Sequence, residues 1–258
     1  MGILIALAVM VTTARVAVLR FHDPQVTAWM RMRVRQARAD GKELKIQQRW
    51  VPLSEISHAM QMAVIAAEDE KFYEHSGFDW EALKKAYERN EKSRRIKRGG
   101  STITQQLAKN LYLSPGRSYW RKVREAWITL TIEWLLPKER ILELYLNLVE
   151  FGPGIFGVEA AAQHYFRVPA RQLAVNKACR LAAILPAPLR YRINGPYVSR
   201  RAAILERIID GPPRHAQEQT PQIDKPAPAP PPVDQITDSL LRELEKVEQE
   251  EAPIPDST

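Results

Sequence analysis

Cysteine is almost missing from this sequence. Cys179 stands alone in 258 residues, so the chain can form no internal disulfide and no cysteine-rich metal site. Its neighbours, Ala178 and Arg180 to Leu185, read as a buried helix, which makes Cys179 a small core residue. Runs of alternating apolar and polar residues are also missing, which leaves a mainly α body. No Gly-Lys-Ser/Thr follows the glycines at Walker spacing, so this is not a phosphate-cradling NTPase loop. No recognised nucleic-acid motif accompanies the pI of 9.6. No serine is followed three residues later by lysine, which excludes the Ser-x-x-Lys nucleophile of penicillin-binding enzymes.

A long unbroken apolar run is the last absence. Gly2 to Val11 is apolar throughout, and Val16 to Leu19 resumes the pattern after Thr12, Thr13 and Arg15. A membrane span needs about 20 apolar residues. That length is reached only by tolerating Arg15 and Arg20, whose long side chains can snorkel to an interface. A cleaved signal peptide needs a basic start, which is not there. The expectation is an uncleaved transmembrane anchor over residues 1–21, although the missing basic flank also fits a start codon placed too late.

The charge that is present is uneven. Beyond Gly211 there are 4 Lys/Arg against 10 Asp/Glu, which leaves 34 against 20 in residues 1–211. A body this basic suits an anionic partner: nucleic acid, a phosphate-bearing substrate or an anionic membrane. Residues 22–52, with Arg31, Arg33, Arg35, Arg38, Lys42, Lys45 and Arg49, read as a basic juxtamembrane linker, either solvated or touching headgroups. Residues 212–258 hold ten of the 19 prolines and read as a Pro-rich, acidic, disordered tail.

Residues 53–211 form the strongly helical body of the chain. Ser54 is positioned to cap a helix carrying Ile56, Met60, Ala63, Val64 and Ala67. A second helix starts near Ser118, and Trp120, Val123, Trp127, Leu130 and Trp134 step by three and four, the spacing of a core stripe. Pro137 stops it. Further helices run from Lys138 to about Val149, from Val158 to Phe166, and to Pro186, with a turn at Gly152-Pro153-Gly154.

Chemistry-bearing residues gather in three places. Glu68 follows Val64 by four, so it lies on or beside the apolar face near a helix end. Burial and the negative helix terminus both disfavour its charged form, raising the carboxyl toward the range of a general base. The same acidic cluster could instead pair with Lys71 or His75. The segment Gly99-Gly100-Ser101-Thr102-Ile103-Thr104-Gln105-Gln106-Leu107-Ala108-Lys109 frees the backbone and then offers hydroxyls, amides and a cation. Capping by Ser101 explains the serine but not Gln106 and Lys109. In the third, Arg117, Arg121, Lys122 and Arg124 surround Glu125, a pattern of helical ion pairs or of a carboxylate among phosphate-gripping cations.

Taken together, the chain resembles the peptidoglycan glycosyltransferases of the stand-alone, monofunctional kind. The match rests on Glu68-Asp-x-x-Phe72-x-x-His75-x-Gly77-x-Asp79, Gly99 to Asn110, Arg121-Lys-x-x-Glu125, Lys138-x-x-Ile141-Leu-Glu143-x-Tyr145-Leu-Asn147 and Ala182-Ala-Ile-Leu-Pro186-Ala-Pro188, in that order. Gly152-x-Gly154-x-x-Gly157 and the Ala161 to Phe166 stretch also fit. The resemblance implies a lysozyme-like helical domain with a small membrane-dipping subdomain, to which Leu111, Tyr112, Leu113, Tyr119 and Trp120 are candidates. It implies lipid II and the growing glycan strand as substrates, and an extracytoplasmic position on the bacterial inner membrane. Glu68 matches the family's general base and Glu125 its second essential carboxylate. Lys109 and Arg117 match positions at the pyrophosphate, with Arg121 among the same cations, and Ser101 and Gln106 sit in the donor-side motif. No cofactor is obligatory, with a divalent cation (Mg or Mn) at the pyrophosphate as the one candidate. Cell-division or cell-wall synthesis proteins are candidate partners, and nucleic acid is not. The rival readings are a lytic enzyme on the same fold and a non-catalytic scaffold recruiting through the Pro-rich tail.

Overall fold

The computed structural model describes residues 2–84, 100–113, 116 and 118–210. Gly99, Arg117 and the tail 212–258 lie outside the described residues. Described helices are α1 (Gly2–Val18), α2 (Ala28–Ala39), α3 (His58–Glu68), α4 (Ile103–Tyr112), α5 (Tyr119–Leu135), α6 (Lys138–Leu148), α7 (Val158–Phe166), α8 (Val175–Ile184) and α9 (Pro196–Asp210). The body is mainly α, as expected.

Local chemistry sets the helix ends. Ser57, not Ser54, caps α3, its hydroxyl accepting from the Met60 N–H, while Leu53–Glu55 forms a short 3₁₀ turn. At α4 the cap is Thr102 rather than Ser101. Thr102 and Gln105 form a reciprocal capping box that satisfies two backbone donors. Helix α5 ends at Leu135, two residues before Pro137, and Pro137 is the N-cap residue of α6.

Among the described residues are three strands too short to show as alternation: β1 (Gln47–Gln48), β2 (Glu150–Gly152) and β3 (Ile155–Phe156). They form one sheet in the order β1-β3-β2, with β1 parallel and β2 antiparallel to β3. The predicted turn at Gly152–Gly154 joins β2 to β3. Beyond it Gly157 adopts φ +79°, and a Cβ there would sit 2.6 Å from the Asn147 carbonyl oxygen, so only glycine fits without strain.

The core is built around α4 and α6, whose Ile103, Leu107, Ile141, Leu142 and Tyr145 are fully buried, with Ile128 and Ile132 from α5. Each such aliphatic side chain contributes roughly 1.5–3 kcal/mol relative to exposure. On the other side, α8 packs against both α3 and α9, and buries Cys179 as expected.

Three expectations are corrected. The first is the stripe on α5. Trp120, Trp127 and Trp134 are 76%, 42% and 80% exposed, whereas Glu125, Ala126, Ile128, Thr129, Thr131 and Ile132 face inward. Apolar spacing occurs on two faces of this helix, and the smaller side chains are the ones that fit against α4. The second is the basic segment 22–52, which is not a free linker. Thr27 caps α2, Met30 is buried, and α2 packs on α4. Trp29 Nε1 and Arg33 Nε both donate to Glu150 Oε2, at 3.0 and 2.7 Å. Burial nevertheless holds the Glu150 carboxyl above its ordinary value. The third concerns Leu111 and Leu113, which are buried in the core and therefore cannot dip into a bilayer.

At the amino terminus, α1 covers 17 residues, about 25 Å. Among the described residues, no helix is long and apolar enough to cross a membrane. The end of α1 is docked on the body, with Val16 and Leu19 buried. Arg15 lies over the Tyr112 ring at 5.0 Å, and the Tyr112 hydroxyl donates to the Arg15 carbonyl. Arg140 donates to the carbonyls of Leu19 and His22 and to Asp23, and also pairs with Glu143.

Candidate active site

Glu68 is the last residue of α3. Asp69 follows immediately. Its Oδ2 accepts from the Ile103 N–H at 2.9 Å, placing a carboxylate at the positive amino terminus of α4. Its Oδ1 meets His75 Nε2 at 2.8 Å, and His75 Nδ1 accepts from the Gly77 N–H. The backbone donor at Nδ1 assigns the imidazole proton to Nε2, which donates to Asp69. The Thr102 hydroxyl donates to the Gly77 carbonyl at 2.6 Å, closing the loop onto the capping box. His75 thus pairs with Asp69, not Glu68, and Lys71 pairs with Glu81. The neighbouring acidic and basic groups leave the Glu68 carboxylate to other partners.

Those partners come from α4 and α9. Gln106 Nε2 donates to Glu68 Oε2 at 3.0 Å, and the Tyr145 hydroxyl of α6 donates to Gln106 Oε1 at 3.0 Å. The tyrosine therefore decides which way the amide points. Arg201 Nη2 donates to Glu68 Oε1 at 3.3 Å and to the Ala67 carbonyl at 2.8 Å. Burial pushes the Glu68 carboxyl above its ordinary value, opposed by the Gln106 hydrogen bond, the Arg201 charge and, least, the Lys109 charge, while Asp69 adds to the rise. Tyr145, buried completely, is pushed well above its ordinary value for the same reason, with the Glu68 and Asp69 charges adding.

The structure brings Glu68, Gln106 and Lys109 to one neighbourhood, with Ser101 exposed just ahead of α4. Glu125 sits on the inward face of α5. Its two oxygens accept from Arg121 at 3.0 Å and Lys122 at 3.3 Å, so both helical ion pairs form. Arg121 Nε is buried and has no partner among the described residues. Arg117 lies outside the described residues. Neither Tyr145 nor Arg201 was singled out as a site residue from the sequence. Tyr145 lies within a motif that gives it no role, and Arg201 lies 133 positions from Glu68 with no local signal to connect them.

Among the described residues no three or more His, Cys, Asp or Glu side chains converge, and both Glu125 oxygens are occupied by cations. A concavity of about 360 Å³ between β1 and α7, lined by Gln48, Arg49, Glu159 and Arg167 among others, includes none of the side chains around Glu68.

A largely buried carboxylate at a helix end, gripped by an amide and a guanidinium, can accept a proton. Comparison with known proteins agrees in class. The transglycosylase family model matches residues 37–209. This chain belongs to the transglycosylase family. It is 50% identical over 196 residues to the biosynthetic peptidoglycan transglycosylase of an Azoarcus species, covering 76% of this chain and 84% of that protein. The protein of the same name from Aeromonas hydrophila is 49% identical over 209 residues, covering 80% and 88%. That from Caulobacter vibrioides is 52% identical over 184 residues, covering 70% and 77%. The transglycosylase match thus runs from the last turn of α2 almost to the end of α9 and takes in Glu68, its two partners and Glu125.

Proposed function

We propose that this transglycosylase is a peptidoglycan glycosyltransferase that polymerises lipid II into glycan strands, with Glu68 as its general base. The observation that carries the reading is the Glu68 carboxylate, largely shielded at the end of α3 and held on both oxygens. The 4-hydroxyl of the incoming lipid II sugar attacks the anomeric carbon of the growing strand, and Glu68 takes its proton. The bond from that carbon to the lipid pyrophosphate breaks, and the electron pair leaves with the phosphate oxygen. Attack opposite the leaving group turns the α linkage into β in one displacement, with no glycosyl-enzyme intermediate.

Charge grows on the pyrophosphate as the bond breaks, so cations there stabilise the transition state. Lys109, Arg117 and Arg121 supply them, with Ser101 and Gln106 on the donor side. Glu125 orients Arg121 and Lys122 through the ion pairs described. Any divalent cation, Mg or Mn, would enter with the pyrophosphate rather than from a preformed cage. The sequence carries no Ser-x-x-Lys nucleophile, so the chemistry assigned is polymerisation without crosslinking.

The substrate's lipid places the reaction at a membrane surface. On this reading α1 anchors the chain, the catalytic body is extracytoplasmic, and the exposed tryptophans of α5 rest at the headgroup level, where their amphipathic rings are favoured. Incubation of the purified protein with labelled lipid II, followed by muramidase digestion, tests the assignment. Muramidase-sensitive polymer is the expected product. Cleavage of preformed, lipid-free strands with no polymer from lipid II would instead make the protein a lytic enzyme.

A further inference from the structure

Arg201 belongs to none of the stretches that carry the resemblance, yet its guanidinium lies on the Glu68 carboxylate. It reaches there from α9, the last helix of the matched domain, which packs on both α3 and α8. Three acceptors hold the head group. The Ala67 carbonyl at 2.8 Å is one of the orphan carbonyls at the end of α3, Glu68 Oε1 lies at 3.3 Å, and the Tyr197 hydroxyl at 3.4 Å faces the other amino group. The Tyr197 ring is stacked on Tyr191 with centroids 3.9 Å apart, so the tyrosine that steadies the guanidinium is itself fixed. The two sides of the ion pair are largely shielded, with side-chain exposures of 27% for Arg201 and 11% for Glu68.

We infer that Arg201 is a positioning residue for the transfer reaction: from α9 it grips one oxygen of Glu68, aims the carboxylate and keeps it in the charged, proton-accepting form. The inference rests on the reading of Glu68 as general base. Every group facing that carboxylate bears on its charge. Gln106 and Lys109 of α4 and Arg201 of α9 favour the ionised form, while Asp69 opposes it, and Tyr145 of α6 acts through Gln106. Of these three the Gln106 hydrogen bond lowers the carboxyl most, Arg201 comes next as a cation in direct contact, and Lys109 contributes least. Loss of the guanidinium removes a lowering influence, so the carboxyl rises further. Because a base works only when deprotonated, the acidic limb of the pH–rate profile then moves to higher pH.

The test compares the full chain with Arg201→Met and Arg201→Lys, after matched circular dichroism spectra and melting curves. Lipid II polymerisation is measured across pH, and the carboxyl carbon of Glu68 is titrated by NMR in protein labelled at glutamate, with Glu68→Gln to identify the signal. For Arg201→Met, the expected result is a Glu68 titration displaced upward by about one pH unit, about tenfold slower turnover on the acidic limb, and recovery toward the wild-type rate at high pH. Arg201→Lys, which keeps the charge, should return most of the limb. An unmoved Glu68 titration in Arg201→Met overturns the inference, as does an equal loss of rate at every pH. A displaced titration with an unmoved pH–rate limb leaves the grip in place and instead removes Glu68 from the role of base.

Discussion

Replacing Tyr145 with phenylalanine removes one oxygen and leaves the ring, and the structure says what that oxygen does. Tyr145 is fully buried, and its hydroxyl donates to Gln106 Oε1 at 3.0 Å, which turns Gln106 Nε2 toward Glu68. In the Tyr145→Phe variant the amide oxygen loses its partner within the protein, at a cost of about 1–3 kcal/mol. For a domain of this size each kcal/mol lowers the melting temperature by roughly 2–4 °C, so the fall should lie between about 2 and 12 °C. The second effect falls on chemistry. A free amide can turn its oxygen toward the carboxylate 3.0 Å away, an arrangement that an ionised Glu68 resists and a protonated one accepts. Turnover should therefore drop at neutral pH and recover as pH rises. Circular dichroism melts and lipid II turnover measured across pH read both effects. A variant matching the wild type in melting temperature and in pH profile would refute the claim that Tyr145 orients Gln106.

Two further outcomes follow from particular contacts. Gly157→Ala places a methyl group 2.6 Å from the Asn147 carbonyl oxygen at φ +79°, so denaturant unfolding should show a loss of at least about 1–3 kcal/mol, and an unchanged midpoint would mean the backbone relaxes freely there. Lys109→Met and Arg117→Met should lower kcat more than they raise KM in steady-state polymerisation, because charge on the pyrophosphate develops in the transition state; a pure KM effect would make both residues ground-state binders.

Much of the helical body was legible in the sequence because its punctuation is chemical. Gly157 before Val158, Pro137 before Lys138 and Pro186 after Ile184 bracket α7, α6 and α8 closely. The caps at Ser57 and Thr102 are not legible beside Ser54 and Ser101, since several hydroxyls stand near each start and only the backbone geometry picks one. The face of α5 was read the wrong way round. Periodicity gives the spacing of apolar residues but not which face meets the neighbouring helix, and here Thr129 and Ala126 are buried while three tryptophans are not. Helix α2 was hidden by its arginines, although the hydroxyl of Thr27 ahead of Trp29 and Met30 was a usable signal.

At the site, the carboxylate could be found from its place beside Val64 and ahead of Phe72 and His75, and its upward shift by burial was expected from that place. Its partners were harder. The Tyr145–Gln106 and Arg201–Glu68 contacts join residues 39 and 133 positions apart, and no local pattern encodes such a pairing. Asp69 was visible as one of several acids, but its task of holding the start of α4 emerges only from the packing of that helix.

The central claim is that Glu68 accepts the proton in glycan polymerisation, and Glu68→Gln tests it most directly. The substitution keeps the shape of the side chain and an oxygen for Arg201, and removes the base. With labelled lipid II and a native melting curve, polymer formation should fall roughly 10²–10⁴-fold. A folded Glu68→Gln protein that keeps more than about a tenth of the wild-type rate would contradict the account, because a loss that small is below what general-base catalysis contributes.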